Sequence, residues 1–198
     1  AAFLFPAAGI LVEKIFSMDA AWAFTVAALL WVYLGIQKGQ VTQDGLTGLN
    51  NRRRLDQYMW ELDERSGERE TCCYLLMDVN KFKKVNDTYG HVTGDEVLRL
   101  VAEQLKRTFG NMQAFLARYG GDEFVVIVKG KTQDEMDVII HQTQENVNAI
   151  AWGADTPWQL SISIGCAMRG EQGKQKSHEL LALADERMYR QKKGIQDR

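Results

Sequence analysis

Proline is almost absent, with two residues in 198, and glycine contributes only 17. That scarcity excludes collagen-like and low-complexity disordered chains. Three cysteines, two of them adjacent at Cys72 and Cys73, exclude a small secreted disulfide scaffold. They lack the spacing of a zinc site, and His91, His141 and His178 stand isolated from one another. Neither sign of charge dominates, since 24 basic and 26 acidic residues leave a formal net charge of −2. A nucleic-acid binder needs an excess of Lys and Arg for its phosphate contacts, so that partner class is excluded as well. What remains is a reduced, intracellular chain long enough to bury one real core.

Charge is also scarce in one place. Residues 1–43 carry only Glu13, Lys14, Asp19 and Lys38, whereas every other charge lies beyond them. Ala20 to Ile36 (AAWAFTVAALLWVYLGI) runs without a charge, at the lower edge of the roughly 17–25 residues that span a bilayer. Trp22 near one end and Trp31 and Tyr33 near the other suit interfacial aromatics. The expectation is therefore a membrane-spanning helix in residues 1–43, ending in the short polar linker QKGQVTQ. A buried helix of a soluble subdomain is the alternative. Lys38, Arg52, Arg53 and Arg54 follow the span, so residues 44–198 are expected on the cytoplasmic side.

Beyond the linker the periodicity changes. Leu55, Tyr58, Met59 and Leu62 recur at helical spacing, and TCCYLLMDV (71–79) reads as a buried strand ending at Asp78. A charged loop, NKFKKVNDTYGHVTGD, precedes a helix with Val97, Val101, Leu105 and Phe109 four apart. QAFLARY (113–119) and DEFVVIVKG (122–130) flank Gly120-Gly121, a two-residue link that predicts a tight hairpin. A helix over 132–152, a strand over 158–168 and a last helix over 177–193 complete the chain. The order is β-α-β-β-α-β plus a terminal helix, an α/β (α+β) ferredoxin-like arrangement with an antiparallel sheet covered by helices on one face.

In that topology the first and third strands are central neighbours, so Asp78 should meet Asp122 at one rim. Paired hard carboxylates beside a phosphate-sized cleft suit Mg²⁺, and metals held this way can activate a hydroxyl and neutralise a leaving pyrophosphate. An acidic hairpin tip is commonly plain solvated turn chemistry. Gly120 and Gly121 argue otherwise, because they leave room for a ligand to approach the main chain. In the loop 80–95, backbone amides with Lys81, Lys83 and Lys84 could cradle a triphosphate, and Asn86, His91 and Asp95 could read a purine edge. Asp87 or Asp95 capping the next helix in a solvated basic loop fits equally well.

The run RYGGDEF (118–124) resembles the signature of GGDEF-domain diguanylate cyclases. DGLTGLNNRR (44–53), MDVNKFKKVNDTYGHVTGDEVL (77–98) and ADERMY (184–189) resemble that family's other blocks, in order and spacing. The resemblance implies a nucleotidyltransferase, with its catalytic domain cytoplasmic at the bacterial inner membrane. It would condense two GTP into cyclic di-GMP with release of two pyrophosphates, across a homodimer in which each subunit holds one GTP. By motif position, Asp78, the Val79 carbonyl and Asp122 would bind Mg²⁺ or Mn²⁺, with Asp122 as base and Glu123 as a further essential acid. Asn86, His91 and Asp95 would contact the guanine nucleotide, Gly120 and Gly121 would let it approach, and Lys83 would stabilise phosphate charge.

Two departures from the family pattern stand out. The R-x-x-D product-inhibition motif reads Asn111-Met112-Gln113-Ala114 here, so feedback through that site is not expected. The closing A-K-x-x-G-R-N pattern reads Gln191-Lys192-Lys193-Gly194-Ile195-Gln196, which keeps the phosphate-binding Lys as Lys192 and displaces the Arg to Arg198. An active cyclase is the leading expectation. A GTP- or partner-binding regulatory module and a cyclic di-GMP receptor are the competitors.

Overall fold

A computed structural model describes residues 8–10, 14, 21–38, 42–64, 71–152, 159–170 and 176–196. The chain divides into two compact units, Ala1–Thr42 and Gln43–Arg198. In the first, helix α1 (Ala21–Lys38) exposes Trp22, Val26, Leu29, Leu30, Trp31, Val32 and Tyr33. The expected membrane-spanning helix needs correction. Among the described residues no helix is long and apolar enough to cross a membrane. α1 stands at the lower limit of spanning length, its 18 residues rising about 27 Å against a hydrocarbon core of about 30 Å. Its last turn is moreover spent on Gln37 and Lys38.

The second unit contains α2 (Arg52–Glu64), β1 (Cys72–Val79), α3 (Phe82–Phe109), β2 (Ala114–Gly120), β3 (Glu123–Lys129), α4 (Gln133–Asn148), β4 (Ile162–Met168) and α5 (Ser177–Gln196). The sheet order is β2-β3-β1-β4, antiparallel throughout. This is a mixed α/β fold whose sheet carries helices on both faces, not on one as its ferredoxin-like reading implies. The cause is visible in β1, where every residue from Cys72 to Val79 is buried. Successive strand residues point to opposite faces. Cys73, Leu75, Met77 and Val79 join the core with Val97, Val101, Leu105 and Met136 of α3 and α4. Cys72, Tyr74 and Leu76 join Leu55, Leu180, Ala184 and Met188 of α2 and α5. An apolar run with no alternation needs cover on both sides.

Both outer strands are covered along their free edges. Beside β2, Asn50 accepts from the Arg118 amide (2.8 Å) and donates through its own amide and side chain to the Leu116 carbonyl (3.2 and 2.8 Å). Beside β4, Gln191 accepts from the Ile164 amide and Arg187 donates to the Cys166 carbonyl, each at 2.6 Å. A polar clasp ties α2 to α5 below the sheet. Ser177 Oγ donates to Asp63 Oδ1 (2.7 Å), and the buried Tyr74 hydroxyl bonds Ser177 Oγ (2.8 Å) and accepts from Arg169 (3.2 Å).

Two local expectations also change. The segment expected as a charged loop at 80–95 is mostly helix, broken where Gly90 takes φ 83° and ψ 162°. That conformation is open to glycine and strained for other residues, so Asn, Asp and Gly here mark a helix kink and not a loop. The hairpin link is Gly121-Asp122, one residue later than expected, because Gly120 pairs with Glu123. Gly121 takes φ 45°, the left-handed first position that a primed hairpin turn demands. The strand expected from 158 begins only at Ile162, and the expected end of the first helix at Ser66-Gly67 lies outside the described residues.

Candidate active site

Asp78, Asp122 and Glu123 lie at one rim of the sheet, where β1 ends. Asp78 is directly opposite Glu123 in the β1–β3 register and opposite Ser163 on β4. The Val79 amide donates to the Asp122 carbonyl at 3.3 Å, which locks the hairpin turn against the end of β1. Asp78 is 5% exposed, while Asp122 and Glu123 are partly exposed beside it. Lys192, reaching over from α5, donates to Asp78 Oδ1 at 2.7 Å. The family pattern implies a phosphate contact for Lys192, and here its ammonium sits against the Asp78 carboxylate.

The electrostatics follow from that crowding. Burial pushes the Asp78 carboxyl up; the Lys192 hydrogen bond opposes this and the Asp122 charge adds to it. Burial, then the charges of Asp78, Asp122 and Asp185, push Glu123 up as well. Carboxylates that raise one another in this way hold negative charge at a cost, and a bound cation relieves it. The donors are hard oxygens: Asp78, Asp122 and the Val79 carbonyl. Among the described residues no three His, Cys, Asp or Glu side chains gather into a metal cage. Two carboxylates with substrate phosphate and water completing the shell are how Mg²⁺ is commonly held, so the residues fit that ion.

The other predicted groups sit on α3, which starts three residues after Val79. Lys81 precedes it in the left-handed region (φ 58°), and first-turn amides of any helix lack intrahelical acceptors. Lys83, His91 and Asp95 are exposed. Asn86 is half-buried, and its Oδ1 has no hydrogen-bond partner among the described residues. The kink at Gly90 folds the helix so that Gly94, next to Asp95, leaves the space that the Asn86 carboxamide fills. A Cβ on Gly94 would overlap Asn86 Oδ1 and stand 3.3 Å from the Phe82 ring. Gly120 and Gly121 have open space where a Cβ would stand. Arg198 lies outside the described residues.

Residues with no role assigned from sequence hold this rim in place. Asn80 Oδ1 accepts from Ser163 Oγ (2.7 Å), Asn80 Nδ2 donates to Ser161 Oγ (3.0 Å) and the Asn80 amide donates to the Ser161 carbonyl (2.9 Å). The turn leaving β1 is thereby tied to β4. Arg118 donates to the Gly121 carbonyl (2.7 Å) and to Asp44 (3.2 Å), fastening the hairpin to the segment before α2. Burial alone would raise the Asp44 carboxyl, but hydrogen bonds from Thr47 and Arg118 outweigh it and leave the pKa lowered. Only their neighbourhood was legible, since Asp44 and Arg118 both sit inside recognisable blocks.

The second unit is similar to known proteins over nearly all its length. The family described as "Diguanylate cyclase, GGDEF domain" matches residues 41–198. The chain is 38% identical over 156 residues to the probable diguanylate cyclase DgcI of Escherichia coli K12, covering 76% of this chain and 31% of that protein. It is 34% identical over 161 residues to the diguanylate cyclase DosC of the same strain, covering 78% of this chain and 34% of that one. The chain thus spans about a third of the length of these two relatives. Among solved structures, the GGDEF domain of DgcB from Caulobacter crescentus, in complex with c-di-GMP, superposes with a TM-score of 0.69 at 31% identity. It covers 78% of this chain and 92% of that one. The coiled coil and GGDEF domain of the same protein reaches 0.72 at 28% identity, covering 90% and 95%. With four sequence blocks in register, a family match over residues 41–198 and the acidic turn set against the end of β1, the chain belongs to the GGDEF-domain diguanylate cyclase family.

Proposed function

We propose that the second unit condenses two GTP into cyclic di-GMP, each of two protomers presenting one nucleotide to the other. The observation that carries the reading is the convergence of Asp78, Asp122, Glu123 and Lys192 at one rim, beside the start of α3. In each half-reaction the 3′-hydroxyl of one GTP attacks the α-phosphorus of the other. A P–O bond to the 3′-oxygen forms, the bond to the β-phosphate bridge breaks, the hydroxyl proton passes to a base, and pyrophosphate leaves. Asp122 takes that proton in this reading, its turn lying against the end of β1. Asp78, Asp122 and the Val79 carbonyl would hold Mg²⁺ or Mn²⁺, which supplies charge neutralisation for the phosphates when bound.

The remaining work is positioning and electrostatics, as in phosphoryl transfer generally. Lys83 and Lys192 offset phosphate charge, with Lys192 exchanging Asp78 for phosphate. Asn86 Oδ1 accepts from a guanine N–H, satisfying an atom otherwise buried without a partner, and His91 and Asp95 border the same nucleotide. Gly120 and Gly121 leave the main chain open to it. A GTP substrate supports a cytoplasmic position for this unit. The exposed apolar side chains of α1, Trp22, Leu29, Leu30 and Trp31 among them, support residence at the inner face of a bacterial membrane, which cell fractionation tests.

The deciding experiment incubates the chain, alone and fused to a dimeriser, with GTP and Mg²⁺ and separates the products by chromatography. Cyclic di-GMP from the wild type and none from Asp122→Ala is the expected result. GTP binding without product from either form would refute cyclase activity in favour of a regulatory module.

A further inference from the structure

The family pattern given above has Ala immediately before the Lys of the last helix, and this chain has Gln191 there. The substitution has a structural correlate. α5 runs along β4 in the opposite direction, and the two repeats nearly match. Four helical residues rise about 6 Å while two strand residues advance about 6.8 Å. Arg187 and Gln191, four apart, therefore meet Cys166 and Ile164, two apart, and satisfy the outward carbonyl of one and the outward amide of the other, each at 2.6 Å. The neighbouring stripe of α5 is Ala184, Met188 and Lys192. Its first two members press their backbone on Gly165, which brings the third level with Ser163 and hence with Asp78, its partner across the β1–β4 register.

We propose that Gln191 is a positioning residue that sets the reach of Lys192 into the acidic rim by fastening the last turns of α5 to the Ile164 amide. The proposal rests on the reading of Lys192 as a contact of bound nucleotide. What Gln191 contributes is an acceptor oxygen. A glutamate supplies the same acceptor, and a leucine of similar size supplies none. The Ile164 amide in a leucine variant would be left on an edge strand with no protein partner, and α5 would lose its register at the end that carries Lys192.

The test measures GTP affinity of the full chain by calorimetry in Mg²⁺, alongside hydrogen exchange of the Ile164 amide. Gln191→Leu is expected to weaken GTP binding about fivefold, the factor that accompanies loss of one hydrogen bond, and to speed exchange at Ile164. Gln191→Glu should bind GTP within about twofold of wild type and keep the amide protected. In a Lys192→Ala background the same Gln191→Leu change should add nothing, because the two act as one unit. Wild-type GTP affinity in Gln191→Leu would overturn the proposal. So would a loss that persists undiminished when Lys192 is already gone. Cyclic di-GMP formation is read on the same samples. A chain that binds GTP yet makes no product refutes the proposed reaction while Gln191 is still judged on affinity.

Discussion

Gly165 is a point of close approach between β4 and α5, and Gly165→Ala should displace the whole helix. The added Cβ would stand 2.9 Å from the Ala184 carbonyl carbon and would overlap the Ala184 oxygen and the Met188 amide. These are backbone atoms of a helix and cannot swing aside. Ordinary carbon–carbon contact begins near 3.5 Å, so α5 must retreat by about 0.6 Å for that pair and about 1 Å or more to free the oxygen. A retreat of about 1 Å stretches the 2.7 Å bond from Lys192 to Asp78 beyond hydrogen-bond range. It also loosens the bonds from Gln191 and Arg187 to the edge of β4. Overpacking costs about 1–3 kcal/mol and each lost hydrogen bond about 1 kcal/mol. A net loss of about 3 kcal/mol lowers Tm by about 6–12 °C in a unit of this size. Denaturant unfolding measures the first quantity and calorimetric melting the second. Gly194→Ala is the control on the same helix. Its Cβ meets open space, so it should be neutral or stabilising by up to about 1 kcal/mol. A Gly165→Ala protein within about 0.5 kcal/mol of wild type, the range of an inert surface change, would refute the close-approach reasoning.

Tyr74→Phe removes the hydroxyl that links Ser177 to Arg169 in the clasp between α2 and α5. It should cost about 1–2 kcal/mol in urea unfolding while leaving the sheet spectroscopically intact; an unchanged midpoint would contradict a structural role for the clasp. At the start of α4, hydrogen bonds from Lys131 and the Thr132 amide hold Glu135 down at about 2, against an ordinary value of 4.5. A lowered carboxyl stabilises the fold above its ordinary value, and that contribution disappears as pH falls from 4.5 towards about 2. The stability difference between wild type and Glu135→Gln should therefore shrink across that window, and a difference that is flat with pH would refute the assignment.

Much of the fold was legible because its strongest signals are local. β1 is a charge-free apolar run up to Asp78, and the paired glycines announce a hairpin. From those two features the topology alone puts Asp78 beside the acidic turn. The layer arrangement was misjudged although β1 contained the clue: a strand with no polar alternation has no face to give to water. The stretch 80–95 misled for a different reason. Asn86, Asp87, Gly90 and Gly94 lower helix propensity, yet Gly90 serves as a kink between two helical pieces and Gly94 as a seat for the Asn86 side chain. The bracing of the rim by Asn80, Ser161 and Ser163, and the tie from Gln191 to Ile164, join residues 27 to 83 positions apart. No periodicity reports such pairs.

The covered edges of the sheet have a consequence for how two chains can meet. With Asn50 bonded to Leu116 and Arg118 of β2, and α5 to Ile164 and Cys166 of β4, the middle of each flank has no free ladder for another strand to extend. Fibre-like growth by strand addition is blocked at both ends. The two protomers of the proposed reaction would then meet through helix surfaces and loop rims, which can part without unpairing any strand. Assembly and disassembly become reversible events that leave each fold whole, so the chance of two nucleotides facing one another can be set by local protomer concentration.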